Sequence, residues 1–239
     1  MAILFSPTRQ DVERYRSLRS LSMNLSHRIV QTIPNRAYDE VGSALGILRN
    51  GVLVFDSEDM TSVMMDCCLY DWFENGKNLV QRYAETHPSK PGTDESCLLN
   101  AYLQAKYRIL LVQSAVRGAG LHCQDVLNGG ELFVMDISLS QSLKSGSVAL
   151  ATRTIPLGEY SMTGGAGLPI TSSSATREAL RRIESGRDKS LESPGAMALL
   201  LVRACLAAGA AGHVAYETPA PKSKKPLRLP RWPGSKRRH

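Results

Sequence analysis

Between residues 56 and 71 the chain places five carboxylates, Asp56, Glu58, Asp59, Asp66 and Asp71. Carboxylates grouped this way are hard oxygen ligands that would hold Mg²⁺ and present it to a phosphoryl substrate. Asp59 and Asp66 are seven residues apart and would share one face of a helix. That chemistry would make the protein a metal-dependent hydrolase using Asp56–Asp71. The same residues also read as a helix start with acids in its first turn, where the positive end of the helix dipole favours them, followed by a solvated flank. No His or Lys falls inside the stretch to act as a partner. The second reading is therefore preferred, and neither a metal nor a cofactor is expected.

Other reactive residue types are scattered. His122 and Cys123 fall in a strand-like run, where neighbours point to opposite faces and cannot act as a base–nucleophile pair. Gly164-Gly-Ala-Gly167 followed by Thr171-Ser-Ser-Ser174 has the look of a phosphate loop, but it lacks both phosphate-loop glycine spacings and Pro169 interrupts it. The five cysteines, Cys67, Cys68, Cys97, Cys123 and Cys205, contain no Cys-x-x-Cys pair. Their odd number and scatter point to reduced thiols rather than a disulfide framework or a zinc site.

Charge is distributed unevenly. Of the 29 Lys and Arg, eight lie between Pro219 and His239: Lys222, Lys224, Lys225, Arg228, Arg231, Lys236, Arg237 and Arg238. That segment contains no acid, so the overall +7 becomes about −1 for the rest of the chain. Eight cations on a flexible, proline-rich segment attract polyanions by counterion release, without sequence preference. Trp232 among them offers one base-stacking surface. Nucleic acid or a ribonucleoprotein is the leading expected partner, and a protein partner met by an adaptor domain is the alternative. A merely solubilising tail fits the same charges.

Positioning these residues requires a fold. Thr8 with Asp11 three residues on opens a first helix whose apolar stripe runs Val12, Tyr15, Leu18, Leu25, Ile29, and Pro34 closes it. Further helices are predicted over about 37–48, from Ser57 to near Asn75-Gly76, over 77–86, and from Thr93 or Ser96 to Lys106, with a short strand at Val52–Phe55 after Asn50-Gly51. From Tyr107 the period changes. Runs at 109–112, 121–127, 132–137, 148–155 and 160–163 read as strands, with Asn128-Gly129-Gly130 the strongest hairpin signal. Helices return at 176–186 and at 194–208, the latter with Pro194 in its first position.

The predicted class is α+β: a mainly helical section over 1–106, a small antiparallel β barrel or curled sheet over 107–170, closing helices over 171–218, and a disordered basic tail over 219–239. Ala196–Ala211 is short for a bilayer and carries Arg203, and Met1–Phe5 is short for a signal peptide. No membrane association is expected, and the location is expected to be cytoplasmic.

Leu53-Val-Phe-Asp-Ser-Glu-Asp59, Asp66-Cys-Cys-Leu-Tyr-Asp71, Gly76-Lys-Asn-Leu-Val80 and Asp125-Val-Leu-Asn-Gly129 resemble a group of bacterial proteins of unknown function. Many of that group carry a C-terminal SEC-C motif, a zinc-binding knuckle, and Pro233–His239 looks like its remnant. The motif's cysteines are absent here, since none follows Cys205. The resemblance implies kinship, and carries over neither a metal site nor an activity.

Overall fold

The structure, a computed structural model, describes residues 5–143, 148–164 and 167–210, apart from the side chain of Glu58. Helix α1 (Arg9–Val30) begins with the expected capping box, in which the Asp11 amide donates to Thr8 Oγ1 and the Thr8 amide donates to Asp11 Oδ2. Its stripe of Tyr15, Leu18, Ser22, Leu25 and Ile29 is buried. Helix α2 (Asn35–Leu45) stops three residues earlier than predicted, because Gly46 adopts a left-handed conformation at φ 77°. Leu48 then belongs to a strand: β1 (Leu48–Arg49) pairs with β2 (Val52–Leu53) across Asn50-Gly51, both at positive φ, and Phe55 lies outside.

Helix α3 (Glu58–Tyr70) starts at Ser57 as predicted but ends five residues short of Asn75-Gly76. Trp72 leaves the helix and donates its indole N–H to Glu40 at 2.8 Å, and Asn75-Gly76 makes a turn of its own between Glu74 and Lys77. Helices α4 (Leu79–Thr86) and α5 (Asp94–Leu103) follow, capped by Asn78 and Thr93.

All five strands expected after Tyr107 are present. They are β3 (Lys106–Val116), β4 (Gly120–Asp125), β5 (Glu131–Met135), β6 (Ala149–Leu157) and β7 (Tyr160–Thr163). They close into a barrel in the order β3, β4, β5, β7, β6 and back to β3. Every pairing is antiparallel except β5 with β7, which is parallel. A short helix, α6 (Ile137–Ser142), lies between β5 and β6. It claims Ile137 from the predicted third strand because Asp136 caps it, accepting from the Leu139 amide at 2.9 Å. Strand β8 (Leu168–Pro169) adds to β6.

Helix α7 (Ser174–Ser185), a 3₁₀ turn at Lys189–Glu192 and helix α8 (Ala196–Ala207) complete the described chain. Pro194 precedes α8 rather than opening it, since Gly195, at φ 80°, takes the cap position.

Alternation along the strands separates two apolar clusters. Leu110, Val112, Leu121, Cys123, Val134 and Leu150 point into the barrel, where Leu139 and Leu143 from the α6 region pack against them. Tyr107, Ile109, Met135, Ala151, Ile155 and Met162 point outward and join the helices in one continuous core. Among the described residues, no helix is long and apolar enough to cross a membrane.

Candidate functional site

Arg153 lies on the outward side of β6, amid apolar neighbours, with its side chain only 3% exposed. Its Nε donates to Asp66 Oδ2 at 2.9 Å, and its Nη2 donates to Asp71 Oδ2. Its guanidinium carbon lies 4.4 Å from the Tyr70 ring centroid and 5.2 Å from that of Tyr107. Two glycines let backbone approach this group. A Cβ at Gly164 would stand 2.9 Å from Asp66 Oδ1, and one at Gly195 would collide with the Asp71 backbone.

The electrostatics follow from burial. Burial raises the Asp66 carboxyl, with Arg153 opposing. It raises that of Asp71 to about 6, where Arg153 again opposes and the Asp66 charge adds. Burial alone would lower the Arg153 guanidinium, but Asp66 and Asp71 outweigh it and hold the group charged.

The carboxylates are not gathered as the metal reading required, nor are Asp66 and Asp71 the solvated flank expected instead. Asp66 and Asp71 turn inward to a guanidinium, Asp56 is exposed, and Asp59 is half-buried. Among the described residues no group of three His, Cys, Asp or Glu side chains could hold a metal ion. The neighbouring thiols are poor nucleophiles, because burial pushes Cys68 up to about 12 and Cys67 well above its usual range.

A second ion pair closes one end of the barrel interior. Arg108 Nη1 meets Asp125 Oδ2, and Arg108 Nε donates to Thr154 Oγ1 at 2.9 Å. Burial works against the Asp125 carboxylate, but hydrogen bonds from Asn128 and Arg108 outweigh it and hold its pKa below the usual value. Asn128-Gly129-Gly130 turns the chain there as predicted, and the amides of Leu127 and Asn128 donate to Asp125 Oδ1.

On the opposite side of the wall, β4 and β5 present a row of rings. His122 packs edge-on to Phe133, centroids 4.8 Å apart, and Phe5 from the segment before α1 lies 5.2 Å from Phe133 and 5.9 Å from Tyr160. Cys123 points inward, so the expected opposition of His122 and Cys123 holds. Gly120 lets the β5 backbone come close, since a Cβ there would collide with the Val134 carbonyl and stand 2.9 Å from the Phe133 ring. Beyond the rings the outer side of β4 carries exposed Gln124.

Residues 9–187 match a family of unknown function (DUF7986). The chain belongs to that family. Comparison with curated proteins and with solved structures found no match. Membership agrees with the kinship read from the Asp66–Asp71 and Asp125–Gly129 segments at the level of an unknown-function group.

The tail residues Lys222, Lys224, Lys225, Arg228, Arg231, Trp232, Lys236, Arg237 and Arg238 lie outside the described residues. In the Gly164–Gly167 stretch, Gly164 packs on Arg153 and Gly167 on Thr152. Sequence reasoning missed Arg153 itself. Its signal was a single cation inside the apolar run Val148–Ile155.

Proposed function

We propose that this chain is a binding protein that holds single-stranded nucleic acid against the β4–β5 side of its barrel, with the cations from Lys222 to Arg238 supplying electrostatic attraction. The observation that carries the reading is the barrel's connectivity. Its first strand pairs with the second and fourth, a helix links the third to the fourth, and the third and fifth run parallel. That is the connectivity of oligonucleotide- and oligosaccharide-binding barrels, which use the faces of their second and third strands. Those strands are β4 and β5 here; His122 on that face is half-buried, and Phe133 beside it lies beneath Phe5. Aromatic side chains on such a face stack with bases regardless of sequence.

The sign of the ligand comes from the tail, since the rest of the chain is close to neutral. In this reading Pro233–His239 is a knuckle of the SEC-C kind that has lost its zinc ligands and kept its cations.

Fluorescence anisotropy with short single- and double-stranded DNA and RNA across a salt series tests it, comparing the full chain with a truncation after Thr218. Both should bind, single strands more tightly, with the truncation showing a flatter salt slope. Binding that vanishes with the tail, or is absent near physiological salt in both, would overturn it and turn attention to a protein partner.

A further inference from the structure

Helix α1 carries five arginines, and three of them are paired: Arg9 with Glu13, Arg14 with Asp94 and Arg28 with Glu95. Among the described residues, Arg16 and Arg19 meet no carboxylate at ion-pair distance. They lie about one turn apart on the helix, and both line an open cavity of about 510 Å³ between α1 and the junction of β5 with α6. That volume falls within the range of small-ligand sites, roughly 300–1,000 Å³. Ser20 and Ser138 add hydroxyls to the lining. These groups are open to solvent: Arg16, Ser20 and Ser138 are exposed, and Arg19 is half-buried.

Charge selects the ligand. Asp136 is the one acid in the lining, and it is buried with both oxygens engaged. Its Oδ1 accepts from the Leu139 amide at 2.9 Å and its Oδ2 from Thr163 Oγ1 at 2.7 Å. Two guanidinium groups against that carboxylate leave the cavity with one positive charge in excess. Arg19 Nη1 donates to the Thr163 carbonyl at 2.6 Å, which positions the fork. A carboxylate ligand would offer two oxygens to this set of donors. A phosphate offers three or four, which suits two guanidinium forks and two hydroxyls together.

The cavity also adjoins the barrel face proposed above. Asp136 follows β5 directly, and Phe133 lies three residues back, roughly 10 Å along an extended strand. Arg117, exposed in the turn between β3 and β4, brings a further cation to the same corner, where the Asp136 amide donates to the Ala119 carbonyl at 3.1 Å.

We propose that this cavity binds a phosphate group between Arg16 and Arg19, with the Ser20 and Ser138 hydroxyls donating to it, and that the group is a phosphodiester of the strand lying on β4 and β5. The strand as its source rests on the reading above, and the phosphate chemistry does not.

Two titrations of the full chain test it: pyrophosphate by calorimetry, and a fluorescent oligothymidylate by anisotropy across a salt series. Each is run on the wild type, Arg16→Gln and Arg9→Gln. Arg9→Gln removes the same charge from α1, but from a side chain that is 93% exposed and paired with Glu13. Arg16→Gln should weaken pyrophosphate binding about tenfold, the scale of a lost hydrogen bond to a charged group. It should also lower the oligonucleotide salt slope by about 0.7, the share of one phosphate contact. Arg9→Gln should change neither. Pyrophosphate binding that depends on Arg16, with no oligonucleotide bound by any form, would keep the phosphate site and overturn the strand as its source. No change in Arg16→Gln in either titration, or equal effects from Arg9→Gln and Arg16→Gln, would overturn the site itself.

Discussion

Arg153 and Asp66 stand 87 residues apart in sequence and meet through a 2.9 Å hydrogen bond that joins the barrel wall to helix α3. Both are buried, and Asp71 shares the same guanidinium. Replacing Arg153 with Met would keep much of its volume and leave two carboxylates with no counter-charge. Removing one partner of a buried ion pair costs about 3–5 kcal/mol. Urea denaturation should show Arg153→Met destabilised by that amount at neutral pH, and much less below pH 5, where the carboxyls take up protons instead. Equal loss at both pH values would mean that the damage is one of packing.

The wild-type chain should itself respond to pH through Asp71. An aspartate whose folded pKa lies above its unfolded value binds its proton more tightly when folded. Its contribution to stability is therefore full below the ordinary value of 3.8 and is lost as pH rises through about 6. The loss amounts to about 3 kcal/mol, at roughly 1.4 kcal/mol per pKa unit. Asp66 is raised as well and acts with the same sign. Urea midpoints measured between pH 4 and 7 should fall more steeply for the wild type than for Asp71→Asn, and parallel profiles would refute the assignment.

Phe5 rests on the rings of Phe133 and Tyr160, which are themselves buried. Phe5→Ala should uncover them. Two opposite effects are expected: stability falls by about 1–2 kcal/mol from lost apolar burial, and single-strand affinity rises severalfold because the rings become available for stacking. Denaturation and anisotropy on the same preparation check both. A stability loss with no gain in affinity would count against the barrel face as the contact surface.

Thiol reactivity offers a simple check of the core. Cys97 is exposed, while Cys67, Cys68, Cys123 and Cys205 are buried, with their thiols raised by burial. In the native protein one thiol should react promptly with a disulfide reagent, and all five should react in denaturant. Fast modification of a second thiol would mean that the packing around α3, α8 or the barrel opens readily.

Most of this fold was legible because local signals agreed with it. The barrel strands announced themselves through short β-branched and aliphatic runs, and Asn128-Gly129 marked the hairpin that Asp125 anchors. Boundaries failed where one residue outweighed a pattern: Gly46 ended α2 inside an apolar run, and Asp136 started α6 at the end of a strand. The candidate sites were far less legible. Asp66 and Asp71 read as a solvated acidic flank because their cation lies more than eighty residues away, and no local spacing encodes that contact. Phe5 drew attention only as part of a short apolar start, since its partners Phe133 and Tyr160 are neighbours in space alone. The parallel pairing of β5 with β7 was likewise invisible, because strand periodicity carries no direction.

The shared guanidinium also sets an order of events during synthesis. Asp66 and Asp71 leave the ribosome well before Arg153 does. Until β6 emerges, those carboxylates have no counter-charge, and water is their best environment. Helix α3 can form in that interval, but turning the face bearing Asp66 inward without its cation is costly. The helices made first therefore wait for a strand made later, and the barrel is what allows them to finish packing.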